Sequence, residues 1–267
     1  MADIEGETSH RMLAVERRKR ILDRVEREGS ITIADIKAML KVSAVTARAD
    51  LEVLEEHGKI VRIYGGAVSP ATNKIIPVPQ VRGQKNIDVK KSIARRAAEL
   101  VKDGETLFID TGSTTFSLVH ELRDKKNLRI VTNDFEVMTF VESQMPDCEL
   151  IVIGGVFRRG HRYTYGELTT LSADSLFADR AFLGAASLIP EHGFMTEFEQ
   201  SVAWKMAIIA HSRQSYVLLD ASKVGASGFI RYATLADVTG IITDSDPDGV
   251  IGSALEGVSG GAELLIA

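Results

Sequence analysis

The sequence predicts an α/β protein in two parts, a compact helical module closed by a β-ribbon and a larger, mostly parallel sheet covered by helices. Three observations carry that prediction. Apolar side chains recur at helical spacing from Val15 to Leu54 and then alternate from Ile60 to Tyr64. Seven short apolar runs separated by helical stretches follow from Leu107 onward, as strands buried on both faces require. Charge divides at the same place: residues 11–68 carry 12 Lys and Arg against 9 Asp and Glu, whereas the whole chain of 267 residues has a net charge of −5.

With 45% hydrophobic and 26% charged residues, the composition is that of a globular protein large enough for two domains, neither fibrous nor disordered. No apolar run approaches the ~20 residues that cross a bilayer, and MADIEGETSHRM lacks the apolar core of a signal peptide. A cytoplasmic protein with no membrane partner is expected. Cys148 is the single cysteine, which excludes an internal disulfide and a multi-cysteine metal site. It reads as a small core residue. His120, His161 and His192 stand away from carboxylates at ligand spacing and read as surface or capping residues, so no metal is expected. Phe177, Phe182, Met206, Ile208 and Ile209 read as core.

In the first module, VERRKRILDRVEREG places Val15, Ile21, Leu22 and Val25 near one face of a helix that Gly29 ends. Ile33, Ile36, Met39 and Leu40 give a second, with Thr32 as N-cap and Asp35 as its acidic partner. Ser43 caps a third, whose buried side is Ala47, Leu51 and Leu54 and which Gly58 ends. KIVRIYGGAV then forms the ribbon. Helix, helix, helix, ribbon is the winged helix-turn-helix order. The third helix leaves Ala44, Val45, Thr46, Arg48 and Ala49 facing outward beside Ser43, a small-residue surface on which Arg48 can pair bidentately with guanine. Arg17, Arg18, Lys19, Arg62 and Tyr64 are candidates for backbone phosphates. A solvated basic face that binds protein is the competing reading, and the small residues at 44, 45 and 49 argue against it.

Pro70, Pro77 and Pro79 mark residues 69–83 as a linker. Arg82, Asn86 and Lys90 then open a helix that runs on through Ile93, Ala94, Ala97, Leu100 and Val101. The runs read as strands are Leu107 to Asp110, Leu128 to Thr132, Leu150 to Ile153, Ala181 to Gly184, Tyr216 to Asp220, Gly240 to Thr243 and Leu264 to Ile266. Ligands in such sheets sit at the C-terminal strand ends. The stretch TLFIDTGSTTFSLVH passes from strand to helix through Gly112, Ser113, Thr114 and Thr115, where backbone N–H groups and hydroxyls gather at the positive end of a helix. Either that loop is an anion site or Asp110, Ser113 and Thr114 merely cap the helix. Asn133 after VT, Gly154-Gly155 with Arg158, and Asp220 with Lys223 stand at other strand ends and favour the anion site.

The residues Val42-Ser43, Thr46, Arg48, Asp50-Leu51, Leu54, Gly58, Arg62 and Gly65-Gly66-Ala67-Val68 resemble the DNA-binding domain of DeoR-type bacterial transcriptional regulators. IDTGSTT, VTND, IGGVFRR, ADRAFLGA, LDASKVG and GIITDSD continue the resemblance into that family's effector domain, which is similar in fold to sugar-phosphate isomerases. The resemblance implies a winged helix-turn-helix DNA-binding domain at 11–68, a linker at 69–83 and an α/β effector domain at 84–267. It implies a recognition helix containing Thr46 and Arg48, a loop from Gly112 to Thr115 that takes a sugar phosphate's anionic end, and sugar or phosphate contacts from Asp110, Asn133 and Lys223. Double-stranded operator DNA, a small phosphorylated sugar and a homodimer or homotetramer are the implied partners, with no cofactor and no catalysis. The expected function is repression of carbohydrate-metabolism genes. An isomerase-like enzyme with an accessory DNA-binding domain is the alternative, with Asp110, Asp220 and Lys223 as its acid and base groups. Two departures stand out. Ala49 replaces the second of two usual arginines, and Gln200 to Lys205 carries Ser201, Ala203 and Trp204 where the family is rich in Glu, which implies a different effector if those carboxylates touch sugar hydroxyls in relatives and nothing if they serve helix solubility.

Overall fold

The computed structural model describes residues 13–63, 66–69, 86–258 and 262–267. Contacts divide the chain into two compact units, Met1–Ile76 and Pro77–Ala267.

The first unit runs α1 (Ala14–Glu28), β1 (Ser30–Thr32), α2 (Ile33–Leu40), α3 (Ala44–Glu56), β2 (Val61–Ile63) and β3 (Gly66–Val68). Gly29 ends α1 in the left-handed conformation, and its N–H returns to the Val25 carbonyl oxygen. Thr32 and Asp35 form a complete capping box on α2, which holds Asp35 below the usual carboxylate range through the Thr32 hydroxyl and N–H. Ile21, Val25, Ile36, Ala47, Leu51 and Leu54 close one core with Ile31 and Ala67 of the antiparallel sheet β1-β3-β2 and with Ile60 just before β2. Val15, expected on the buried face, is instead 76% exposed. It sits in the first turn, beyond the reach of the core that begins at Ile21.

The second unit runs α4 (Ile87–Leu100), β4 (Thr106–Ile109), α5 (Ser113–Glu121), β5 (Arg129–Thr132), α6 (Phe135–Gln144), β6 (Glu149–Val152), β7 (Val156–Arg158), β8 (Tyr163–Tyr165), α7 (Glu167–Asp174), β9 (Ala178–Gly184), β10 (Ser187–Ile189), β11 (Gly193–Thr196), α8 (Val202–Ala210), β12 (Ser212–Leu218), β13 (Ile230–Ala233), β14 (Gly240–Thr243), α9 (Val250–Glu256) and β15 (Glu263–Ile266). Seven strands pair in the order β15-β14-β12-β9-β4-β5-β6, every pair parallel. All seven expected strands are present. Successive residues enter opposite cores: Leu107, Ile109, Phe182 and Leu218 face α4, α5 and α6, while Phe108, Leu183 and Val217 face α8 and the small antiparallel sheet β10-β11-β13. Burial on both faces is why these strands read as continuous apolar runs. Phe182 and Ile208 are core as expected, but Phe177 is 64% and Met206 55% exposed. Phe177 follows the end of α7, and Met206 lies on the outer side of α8.

Chain order fixes the site. The strands step outward from β4 to β6 and then return to β9 on the other side of β4, so the direction of winding reverses between β4 and β9. Connections leave those two strands in opposite directions, and the C-terminal ends at such a reversal are where ligands sit in doubly wound sheets.

Candidate functional site

In the first unit, Ser43 caps α3 by accepting the Thr46 N–H at 3.1 Å, and its hydroxyl lies 3.0 Å from that of Thr46. Val45 is 73% exposed, Arg48, Ala49 and Lys19 are exposed, and Ala44 and Thr46 are half-buried. A helix start free of large charged groups except Arg48 suits entry into a major groove. Arg17 and Arg18 depart from the expected phosphate role. Arg17 gives two donors to the buried Asp50, Nε at 2.7 Å and a terminal nitrogen at 3.1 Å, and Arg18 Nε adds a third at 3.2 Å. The pair ties α1 to the back of α3. Arg62 lies in β2 opposite Ala67, with its side chain outside the described residues, as is Tyr64.

In the second unit, the N-cap of α5 is Gly112, and no side chain caps the helix. Capping by Asp110, Ser113 or Thr114 is therefore not what these residues do. Gly112 stands at φ 148°, a conformation that favours glycine, and its carbonyl oxygen accepts the Phe116 N–H at 2.8 Å. Gly112 is exposed and Ser113 half-buried, at the positive end of the helix where the first-turn N–H groups have no partner within the helix. Thr114 and Thr115 are buried, and the Thr115 hydroxyl donates to the Gly112 carbonyl oxygen at 2.8 Å. The Thr115 hydroxyl is thus turned back onto the loop's own backbone.

Asp110, expected to meet a sugar, has no exposed surface. Its Oδ1 accepts from Trp204 Nε1 at 3.2 Å, and its Oδ2 accepts from the Lys205 ammonium and from the Gly184 N–H at 3.1 Å. Lys205 Nζ also reaches the Gly184 carbonyl oxygen at 2.8 Å and lies 4.8 Å from the centre of the Tyr232 ring. Burial and the nearby Asp110 charge push the Tyr232 hydroxyl well above its ordinary range, and it donates to the same carbonyl at 3.1 Å. Four side chains thus bridge the β4 and β9 ends. Ser201, in place of a carboxylate, is buried with its hydroxyl donating to the Phe198 carbonyl oxygen at 2.7 Å, while Ala203 is exposed on α8.

Asn133 is 2% exposed, and its Nδ2 donates to the Thr164 carbonyl oxygen at 2.7 Å. Asp134 caps α6 through the Glu136 N–H at 2.7 Å, and burial pushes its carboxyl up to about 7 against those hydrogen bonds. Arg158 does not point a free guanidinium at a ligand: it bonds the Tyr163 hydroxyl and stacks 3.5 Å from the centre of the Phe198 ring. Gly155 is required by packing, since a Cβ there would fall 2.2 Å from Thr169 Oγ1, and the carbonyl oxygen of the exposed Gly154 accepts from that same hydroxyl at 2.8 Å. Asp220 is buried and accepts from Ser222 and, at 3.5 Å, from Asn86 Nδ2. Lys223 Nζ donates to the Ala185 carbonyl oxygen at 2.8 Å, just past the end of β9. His120 and His192 are exposed, His161 is buried rather than superficial, and Cys148 is half-buried. Among the described residues no His, Cys, Asp and Glu cluster could hold a metal, and no helix is long and apolar enough to cross a membrane.

Sequence reasoning missed Lys205 and Trp204 as partners of Asp110, Tyr232 as a partner of Gly184 beside them, and Thr164 as the partner of Asn133. The sole tryptophan beside a lysine in an apolar helix was the available signal for the first group. Asn86 and Lys90 were expected on one helical stripe, but Asn86 is the left-handed N-cap of α4 and Arg82 lies outside the described residues.

A groove-reading helix on one unit and an open helix N-terminus at the edge of a doubly wound sheet on the other define a DNA-binding protein with a sensor-type α/β unit. Comparison with known proteins agrees. The DeoR-like helix-turn-helix domain matches residues 17–73, and the DeoR C terminal sensor domain matches residues 85–245. The chain belongs to the DeoR family of transcriptional regulators. It is 34% identical to an uncharacterized HTH-type transcriptional regulator of Escherichia coli (strain K12), over 87% of this chain and 91% of that one. It is 32% identical to the glycerol-3-phosphate regulon repressor of the same organism, over 88% and 93%. The structure of ribose 5-phosphate isomerase A from Methanocaldococcus jannaschii aligns with 52% of this chain and 55% of that one, at TM-score 0.39 and 21% identity.

Proposed function

We propose that this protein is a DNA-binding repressor of carbohydrate-metabolism genes whose operator binding is set by a phosphorylated sugar. The observation that carries the reading is the α5 N-terminus, which opens on Gly112 without a side-chain cap at the C-terminal edge of the sheet. Uncapped N–H groups there favour an anion, and the relative named for glycerol 3-phosphate supports a phosphate ester. Residues 11–68 read DNA, 69–83 connect, and 84–267 bind the effector, in a homodimer or homotetramer that sets two recognition helices across a two-fold operator. Ser113, Gly112 and the first-turn N–H groups contact the phosphoryl group, and Asn133 contacts the sugar. No catalysis is proposed, because Asp110, Asp220 and Lys223 are each engaged within the protein. Selection of duplexes from a random pool tests the reading: a recurrent, two-fold symmetric site bound with steep salt dependence is expected, and an absence of salt-sensitive duplex binding contradicts it.

A further inference from the structure

Only part of the bonding capacity of the Asn133 amide is committed within the protein. Its Nδ2 donates to the Thr164 carbonyl oxygen at 2.7 Å, and the backbone carbonyl oxygen of Asn133 accepts the Thr164 N–H at 3.0 Å. The Oδ1 atom is buried and, among the described residues, has no hydrogen-bond partner. Turning the amide over offers no remedy, because that would set Oδ1 against the Thr164 carbonyl oxygen, acceptor on acceptor. The unmatched atom is therefore an acceptor, which native proteins rarely leave buried without a donor.

Strand register places Asn133 beside Asp110, which leads into the anion loop. Ile109 pairs with Thr132 in the parallel β4–β5 ladder, so Asp110 and Asn133 continue neighbouring strands at the C-terminal edge. Gly112 and Ser113 follow two and three residues after Asp110. Asp110 itself is taken by Trp204, Lys205 and Gly184. The edge thus pairs a group of donors, the α5 N–H groups, with one buried acceptor. The phosphoryl dianion of an ester, or a carboxylate, satisfies the donors but repels an amide oxygen, since it has no proton to give. A molecule that brings both an anionic oxygen and a hydroxyl satisfies both.

We propose that Asn133 is the specificity-determining residue of this site: the phosphoryl group of a polyol phosphate takes the α5 N–H groups, and a hydroxyl of the same molecule donates to Asn133 Oδ1. The assignment rests on the anion-site reading above and adds the requirement for a hydroxyl. Phosphate esters that lack one are discriminated against, whatever their shape.

Calorimetry on the full chain tests this with glycerol 3-phosphate, ribose 5-phosphate and fructose 6-phosphate as probes, and with n-propyl phosphate and inorganic phosphate as references that carry no carbon-bound hydroxyl. At least one polyol phosphate should bind about tenfold or more tighter than both references. In Asn133→Leu that margin should shrink to within about threefold, while inorganic phosphate binds within about twofold of the parent. A margin that survives Asn133→Leu overturns the proposal, as does n-propyl phosphate matching the best polyol phosphate on the parent protein. That last comparison needs no variant, so it decides the matter even where Asn133→Leu fails to fold. Failure of every phosphate, inorganic phosphate included, overturns the anion site itself. Equal binding of all of them, weakened together by Ser113→Ala, keeps the anion site and overturns only the role of Asn133.

Discussion

Lys205 lies directly against Asp110 across the β4–β9 reversal, with both side chains almost wholly out of water. Two opposite charges so placed need each other, because either one alone carries the full penalty of a buried ion. Lys205→Met should therefore lower the unfolding free energy by about 3–5 kcal/mol. Asp110→Asn added to it should restore part of the loss, since an asparagine still accepts from Trp204 Nε1–H without leaving a bare charge. Urea denaturation of the two variants decides this, and a double variant less stable than Lys205→Met contradicts the pairing.

Arginines of the first unit should separate into two behaviours. Arg48 is exposed on the outward face of α3, so Arg48→Ala should weaken cognate binding by about 1–3 kcal/mol and relax preference at one base position. Arg17 is held by Asp50, so Arg17→Ala should lower stability while leaving the salt dependence of DNA binding unchanged. Anisotropy titrations over a range of salt concentrations distinguish the two. A reduced salt slope for Arg17→Ala would show that its guanidinium reaches a phosphate.

Asp134 makes stability depend on pH. Its carboxyl titrates from 3.8 in the unfolded chain and from about 7 in the fold. The folded state holds the proton more tightly, so stability from this group is greatest below the unfolded value and is lost as pH rises through 7. Asp134→Asn keeps an N-cap acceptor and removes the titration. The variant should gain on the parent by on the order of 2–3 kcal/mol between pH 5 and pH 8. Thermal unfolding at both pH values measures it, and a difference independent of pH contradicts the burial argument.

Turnover should be absent. With ribose, fructose or tagatose phosphates the protein should bind without conversion, followed by nuclear magnetic resonance of the sugar. Product that accumulates in proportion to protein, and is lost in Lys223→Ala, would establish an isomerase instead.

The strands were legible because burial on both faces writes an uninterrupted apolar run into each, and the helix caps at Thr32 and Ser43 because a cap is decided within three residues. The loop at Gly112 was legible for the same local reason. Asp110 was not. Its placement at a strand end is visible in sequence, but its occupation depends on Trp204 and Lys205, which arrive 94 and 95 residues later. The engagement of Arg17 and Arg18 was hidden similarly: an arginine run looks solvated until a buried aspartate on another helix pairs with it. Arg158 lies in β7, outside the parallel sheet, and the Phe198 ring it lies on belongs to a segment with no pattern linking the two.

The central claim is that an anion at the α5 N-terminus governs DNA binding, and the most direct measurement is operator affinity of the full chain with and without sugar phosphates. One phosphorylated sugar should shift the affinity for a selected duplex by about fivefold or more, and its unphosphorylated parent should not. Gly112→Val, which denies the ligand close approach to the backbone and forces a side chain onto φ 148°, should bind DNA but lose the response. A response of equal size to the parent sugar, or one that persists in Gly112→Val, would contradict the account.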